Sequence, residues 1–109
     1  MTPFNGELYF AGMRAATGRE LWATDGTSSG TVLVRDIFQT DYIASSDPGS
    51  LTEVDGKLFF AAQSFSTGRE LWVSDGTSAG TQLVADIRVS GSSDPSGLTN
   101  VNGTLFFFA

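Results

Sequence analysis

The chain contains no cysteine and no histidine. Disulfides, thiolate nucleophiles, Cys/His zinc centres and every histidine-dependent catalytic triad are excluded with them. Basic residues are scarce too, six against twelve acids, for a formal charge of −6 over 109 residues. Nucleic acid and anionic membrane faces both need a basic surface, so neither is an expected partner. No apolar run approaches the roughly eighteen residues of a membrane span, so no membrane insertion is expected. The opening Met1-Thr2-Pro3-Phe4-Asn5-Gly6 has neither the basic start nor the apolar stretch of a signal peptide. Only three prolines accompany thirteen glycines, a balance of tight turns rather than of a disordered linker. No window longer than a turn carries 3.6-residue periodicity, so almost no helix is expected.

What is present is a repeat. Thr17-Gly18-Arg19-Glu20-Leu21-Trp22 recurs as Thr67-Gly68-Arg69-Glu70-Leu71-Trp72, at an offset of 50 residues. Asp25-Gly26-Thr27-Ser28 and Asp36-Ile37 recur at the same offset, as Asp75-Gly76-Thr77-Ser78 and Asp86-Ile87. Asn5-Gly6-Glu7-Leu8-Tyr9-Phe10 returns as Asp55-Gly56-Lys57-Leu58-Phe59-Phe60 and again as Asn102-Gly103-Thr104-Leu105-Phe106-Phe107, the second time 47 residues on. The shortening by three falls between Ile87 and Leu98, where a loop is expected. The chain thus divides into a first repeat at 1–37 with its innermost strand truncated, a second at 38–87, and a partial third at 88–109.

Each unit reads as four strands. Leu51 to Val54 alternates, Asp55-Gly56 follows, and Lys57 to Ala62 is apolar. An Asn-Gly or Asp-Gly pair between apolar runs signals a two-residue hairpin, because both central residues need positive φ. The third strand is Arg69 to Ser74, and the fourth is Gln82 to Ile87 after a turn at Asp75-Gly76. Four short strands per tandem unit of about fifty residues point to an all-β, incomplete β-propeller-like array of about two and a quarter four-stranded antiparallel blades. Blades covered on both faces explain why Leu58-Phe59-Phe60 is continuously apolar. Structural roles are then expected for Trp22 and Trp72 between blades, and for the turn glycines Gly26, Gly76, Gly56 and Gly103. Arg19 with Asp36, and Arg69 with Asp86, are expected as cross-hairpin ion pairs, since the other register sets Glu20 against Asp36 and Glu70 against Asp86.

The string Glu-Leu-Trp-x-x-Asp-Gly-Thr at 20–27 and 70–77 resembles the signature of the bacterial ELWxxDGT repeat family. The Gly-Thr-x-Leu-Val-x-Asp-Ile and Asn-Gly-x-Leu-Phe-Phe elements fit it as well, so the resemblance spans essentially the whole chain. It implies a propeller-like or kelch-like architecture within a long secreted or surface-attached bacterial protein. It carries no assigned activity onto particular residues.

Function is expected in the loops from outer strand to next inner strand, and from second strand to third, where the copies differ most. Phe38, Asp41, Tyr42 and Phe65 are the candidate contacts there for a protein or carbohydrate partner. Ser-Ser-Asp-Pro occurs in both long loops, at 45–48 and 92–95. Its Asp starts a turn, or else Asp41, Asp47 and Asp94 contribute oxygens to calcium, which needs six to eight of them. No other cofactor is implied. Carboxylates such as Asp41 and Asp47 sit on no rigid element that would aim them at a glycosidic bond, so no enzyme activity is expected. The expected function is a non-catalytic structural or interaction module, with a small-ligand-binding module as the alternative. Open apolar end faces would require further repeats or self-association.

Overall fold

A computed structural model describes residues 2–38, 45–88 and 91–109. The described chain is all-β, with no helix and ten strands: β1 (Thr2–Phe4), β2 (Glu7–Arg14), β3 (Gly18–Thr24), β4 (Thr31–Arg35), β5 (Gly49–Val54), β6 (Lys57–Ser64), β7 (Gly68–Ser74), β8 (Gln82–Ala85), β9 (Ser96–Val101) and β10 (Thr104–Phe108). They form three antiparallel sheets, ordered β1-β2-β3-β4, β5-β6-β7-β8 and β10-β9. The first two are simple meanders of the same topology.

The hairpins form where the sequence places them. Asn5-Gly6, Asp55-Gly56 and Asn102-Gly103 all take positive φ, from 51° to 82°, as a two-residue turn between twisted strands demands. The registers match strand for strand: Phe10 stands opposite Trp22, and Phe60 opposite Trp72. Each fourth strand is interrupted in the same way. Leu21 pairs with Arg35 but Trp22 with Leu33, leaving Val34 as an extra residue, and Leu71, Trp72, Ala85 and Leu83 repeat the pattern around Val84.

This bulge overturns the expected ion pairs. Arg19 Nε lies 3.8 Å from Asp47, not Asp36, and among the described residues that is the only salt bridge. Arg69 donates to the carbonyls of Ser46 and Asp47 rather than to Asp86. Asp36 and Asp86 each keep a buried Oδ1 with no hydrogen-bond partner. The register judged unfavourable is the one adopted, with Glu20 feeling the charge of Asp36.

The core lies between the first two sheets. Leu58, Phe60, Ala62 and Trp72 of the second meet Tyr9, Leu21 and Ala23 of the first, together with Phe4, Val34 and Ile37. Phe4 and Tyr9 pack edge to face at 5.3 Å, a preferred aromatic geometry. Strand alternation then sends Phe59 to the opposite face, where it lines a cleft with Leu105 of β10. The apolar run 58–60 is thus covered from two sides. Trp72 is buried in the core cluster, whereas Trp22 is only half-buried.

First strands adjoin from sheet to sheet: β5 packs against β1 and β2, and β9 against β5 and β6. Thr2 Oγ1 donates to the Leu51 carbonyl (3.4 Å), and Thr52 Oγ1 to that of Leu98 (3.2 Å). The same contact is made twice.

The Asp-Gly-Thr turns close the third hairpin of each four-stranded sheet. Asp75 Oδ1 accepts from the Thr77 backbone N–H (2.9 Å) and hydroxyl (2.6 Å), and Asp25 does the same with Thr27. Those bonds hold both carboxyls below the usual aspartate range, because they favour the charged form. Gly26 and Gly76 have φ of 94° and 97°. Around Gly26 a methyl group would meet open space, but at Gly76 it would lie 2.6 Å from the Tyr9 hydroxyl of the first sheet.

This pair isolates sheet-on-sheet packing from backbone strain. Gly26→Ala should cost about 1–2 kcal/mol, for the left-handed conformation alone. Gly76→Ala should cost about 1 kcal/mol more, because Tyr9 must move. Equal losses in urea denaturation would show that the sheets do not meet at that point.

Candidate functional site

The described parts of the two long loops are each bonded to the start of a third strand. Each connection from a fourth strand back to a first strand crosses the turn between second and third strands and is bonded to it. In the first repeat, Arg19 N–H donates to Ser45 Oγ (2.9 Å), Asp47 N–H to the Arg19 carbonyl (3.2 Å), and Gln63 N–H to the Ser46 carbonyl (2.8 Å). In the second, Arg69 N–H donates to Ser92 Oγ (2.8 Å), while Ser93 and Asp94 N–H reach the Arg69 carbonyl (3.0 and 3.2 Å).

A buried carboxylate anchors each crossing. Glu20 is fully buried, and a charge taken out of water must be given donors. It accepts from Ile37 N–H (3.0 Å), Ser46 N–H (3.1 Å) and the Ser46 hydroxyl (2.5 Å). Glu70, equally buried, accepts from the backbone N–H of Ile87 (3.2 Å), Arg88 (3.4 Å) and Ser93 (3.1 Å), and from the Ser93 hydroxyl. The second serine of each Ser-Ser-Asp-Pro segment is therefore a carboxylate donor, and the first caps the arginine backbone. Burial pushes the Glu20 carboxyl above its ordinary value, and the charge of Asp36 adds to this; the Ser46 and Ile37 hydrogen bonds pull the other way.

Neither glutamate stood out in the sequence as a site. The available signal was the recurrence of Ser-Ser-Asp-Pro downstream of each Glu-Leu-Trp. Ser46 lies 26 residues beyond Glu20, and Ser93 lies 23 beyond Glu70. The three-residue shortening thus falls inside the connection, between the anchored ends.

Of the candidate contacts, Phe65 protrudes from the β6–β7 turn at 74% exposure and Phe38 is half-buried just past β4. Asp41 and Tyr42 lie outside the described residues. Phe65 edges a cleft of about 350 Å³ with Arg35, Ile37, Ser64, Thr67 and Trp72. The Trp72 indole N–H has no hydrogen-bond partner. A second cleft of about 420 Å³ opens near Arg19, Pro48 and Tyr9. Asp47 and Asp94 belong to different crossings, and no group of three or more acidic side chains comes together among the described residues. Asp47 faces Arg19 instead.

The architecture is that of an all-β protein in which one four-stranded antiparallel sheet is built twice. Comparison with protein-family models, with curated proteins and with solved structures returns no match in any of the three.

Removing the anchor should be costly. Glu20→Ala leaves three donors unmatched and is expected to cost about 2–4 kcal/mol at neutral pH. Glu20→Gln turns an amide NH₂ toward one of those donors and should cost less. With its pKa raised on folding, Glu20 contributes stability that is present below its unfolded value and lost as pH rises through the folded one. The stability gap between wild type and Glu20→Gln should therefore be larger at pH 4 than at pH 7. A gap that is constant with pH would place the carboxylate in water.

Proposed function

We propose that this chain is a non-catalytic structural or interaction module of a larger bacterial secreted or cell-surface repeat protein, built as propeller-like blades. The observation that carries this is the use of the repeated motif. Glu20, Glu70, Arg69, Asp25 and Asp75 are each engaged in holding turns or connections in place, which leaves the copies' differences in the loops to vary on a constant frame. The succession of first strands, each against the next, supports a blade-like arrangement. The resemblance to ELWxxDGT repeats supports the surface setting, and adhesion is the activity that fits such a frame.

The test is protease shaving of intact cells that express the parent polypeptide. Epitopes placed in the Gln63 to Gly68 turn should be lost to external protease while a cytoplasmic marker survives. Full protection of the epitope, with the marker also intact, would refute the surface setting.

A second function, as a small-ligand module, is favoured by the cleft beside Phe65. An exposed aromatic face, a guanidinium and neighbouring hydroxyls form the combination that stacks on a sugar ring and satisfies its hydroxyls. A glycan array should then show binding that Phe65→Ala reduces at least about tenfold, the loss of roughly 1.4 kcal/mol. A blank array leaves the scaffold function standing alone.

A further inference from the structure

The cleft beside Phe65 lies between the first two sheets, and the residues that give it its chemistry are ones the repeat does not share. Arg35 lines one side of it, and Ser64, Phe65 and Thr67 the other. At the positions 50 residues away, Ala85 stands for Arg35, Arg14 for Ser64 and Ala15 for Phe65. Both four-stranded sheets have the same topology with either set. The frame therefore does not account for the arginine, the ring or the small hydroxyl.

Arg35 is held in place before any ligand arrives. Its Nη1 donates to the carbonyls of Ser78 (3.4 Å) and Thr81 (2.5 Å), which occupies both Nη1 hydrogens. A guanidinium has five N–H donors, so the three on Nε and Nη2 remain. The hydroxyls across the cleft have the opposite character. Thr67 Oγ1 donates its one proton to the Gly68 carbonyl (3.2 Å), so it is the acceptor in its 2.6 Å contact with Ser64 Oγ. A lone pair on the Thr67 oxygen is left over, and that side presents an acceptor. Among the described residues no carboxylate lines the cleft. The chain's net charge of −6 is screened over about 8 Å at physiological salt, so the guanidinium sets the local potential.

We propose that this cleft takes a carboxylate-bearing saccharide, with the Arg35 guanidinium on the carboxylate of a uronic acid residue. The inference rests on the small-ligand function of the same cleft and gives that ligand its charge. Nε and Nη2 form one edge of the guanidinium, and such an edge meets a carboxylate through two parallel hydrogen bonds. Thr67 Oγ1 accepts from a ring hydroxyl, and Phe65, 74% exposed, lies against the C–H face of the sugar. A uronic acid carries all three complements, a carboxylate, a hydroxyl donor and an apolar ring face, on a single ring. A neutral sugar leaves the free guanidinium edge without a charged partner.

Masking the carboxylate tests this without altering the protein. Isothermal calorimetry compares trigalacturonate with its fully methyl-esterified form, the same sugar without its charge. The acid should bind wild type at least about tenfold more tightly than the ester, as expected for a charge-assisted hydrogen bond. Arg35→Gln should bring the two affinities together, while Phe65→Ala should weaken both by a similar factor. Circular dichroism verifies that the variants fold; should Arg35→Gln fail to, the comparison of acid and ester on wild type decides alone. Equal affinity for acid and ester would overturn the proposal and leave the saccharide function standing, whereas binding of neither would overturn both. Triglutamate bound as tightly as trigalacturonate would also overturn it, in favour of an acidic peptide.

Discussion

A carboxylate buried on the third strand of each four-stranded sheet has to be surrounded by donors, and the rest of the architecture follows from where those donors come from. Glu20 draws them from Ile37 and Ser46, at either end of the connection that leaves the first sheet. Both ends are thereby held against the same point, and Pro48 delivers the chain to β5 in a fixed position. Glu70 repeats this with Ile87, Arg88 and Ser93, which starts β9 in the corresponding place. Three residues can be lost between the anchors without consequence, since length inside a tethered loop changes its closure entropy only slightly. Burial of the Glu20 carboxylate is the main cost of this arrangement and the proximity of Asp36 a smaller one, partly offset by the hydrogen bonds from Ser46 and Ile37.

Arginine plays the reciprocal part. Glu70 holds the connection that follows its own sheet, while the neighbouring Arg69 reaches back to the carbonyls of Ser46 and Asp47 in the connection before it. Two adjacent residues of one strand thus tie together two successive crossings. A sheet placed by these ties brings its Phe60/Trp72 face onto the Tyr9/Leu21 face of its predecessor. Burial of each large side chain there is worth about 1.5–3 kcal/mol. The polar anchors set position, and the apolar faces supply most of the energy.

That division of labour bears on function. The motif residues Glu20, Glu70, Arg69, Asp25 and Asp75 are engaged in holding the frame together. Among the described residues the buried polar atoms left without a partner are Oδ1 of Asp36 and Asp86 and the indole N–H of Trp22 and Trp72, while the apolar Phe65 stands clear of the protein at the loop end.

The all-β class, the unit of four strands, the turn positions and the apolar face of each second strand were legible in the amino-acid order, because hairpin turns and strand alternation are local properties. Phe60 and Trp72 could be recognised as inter-sheet residues for the same reason. What local order did not contain was the partner of each charged group. Arg19 and Glu20 are neighbours on one strand, and which of them meets Asp36 depends on a single extra residue at Val34, whose bulge no turn motif announces. The donors to Glu20 come from up to 26 residues away. Their approach is decided only when the sheets stack, since a carboxylate is driven to seek donors by burial, and burial belongs to the tertiary structure alone.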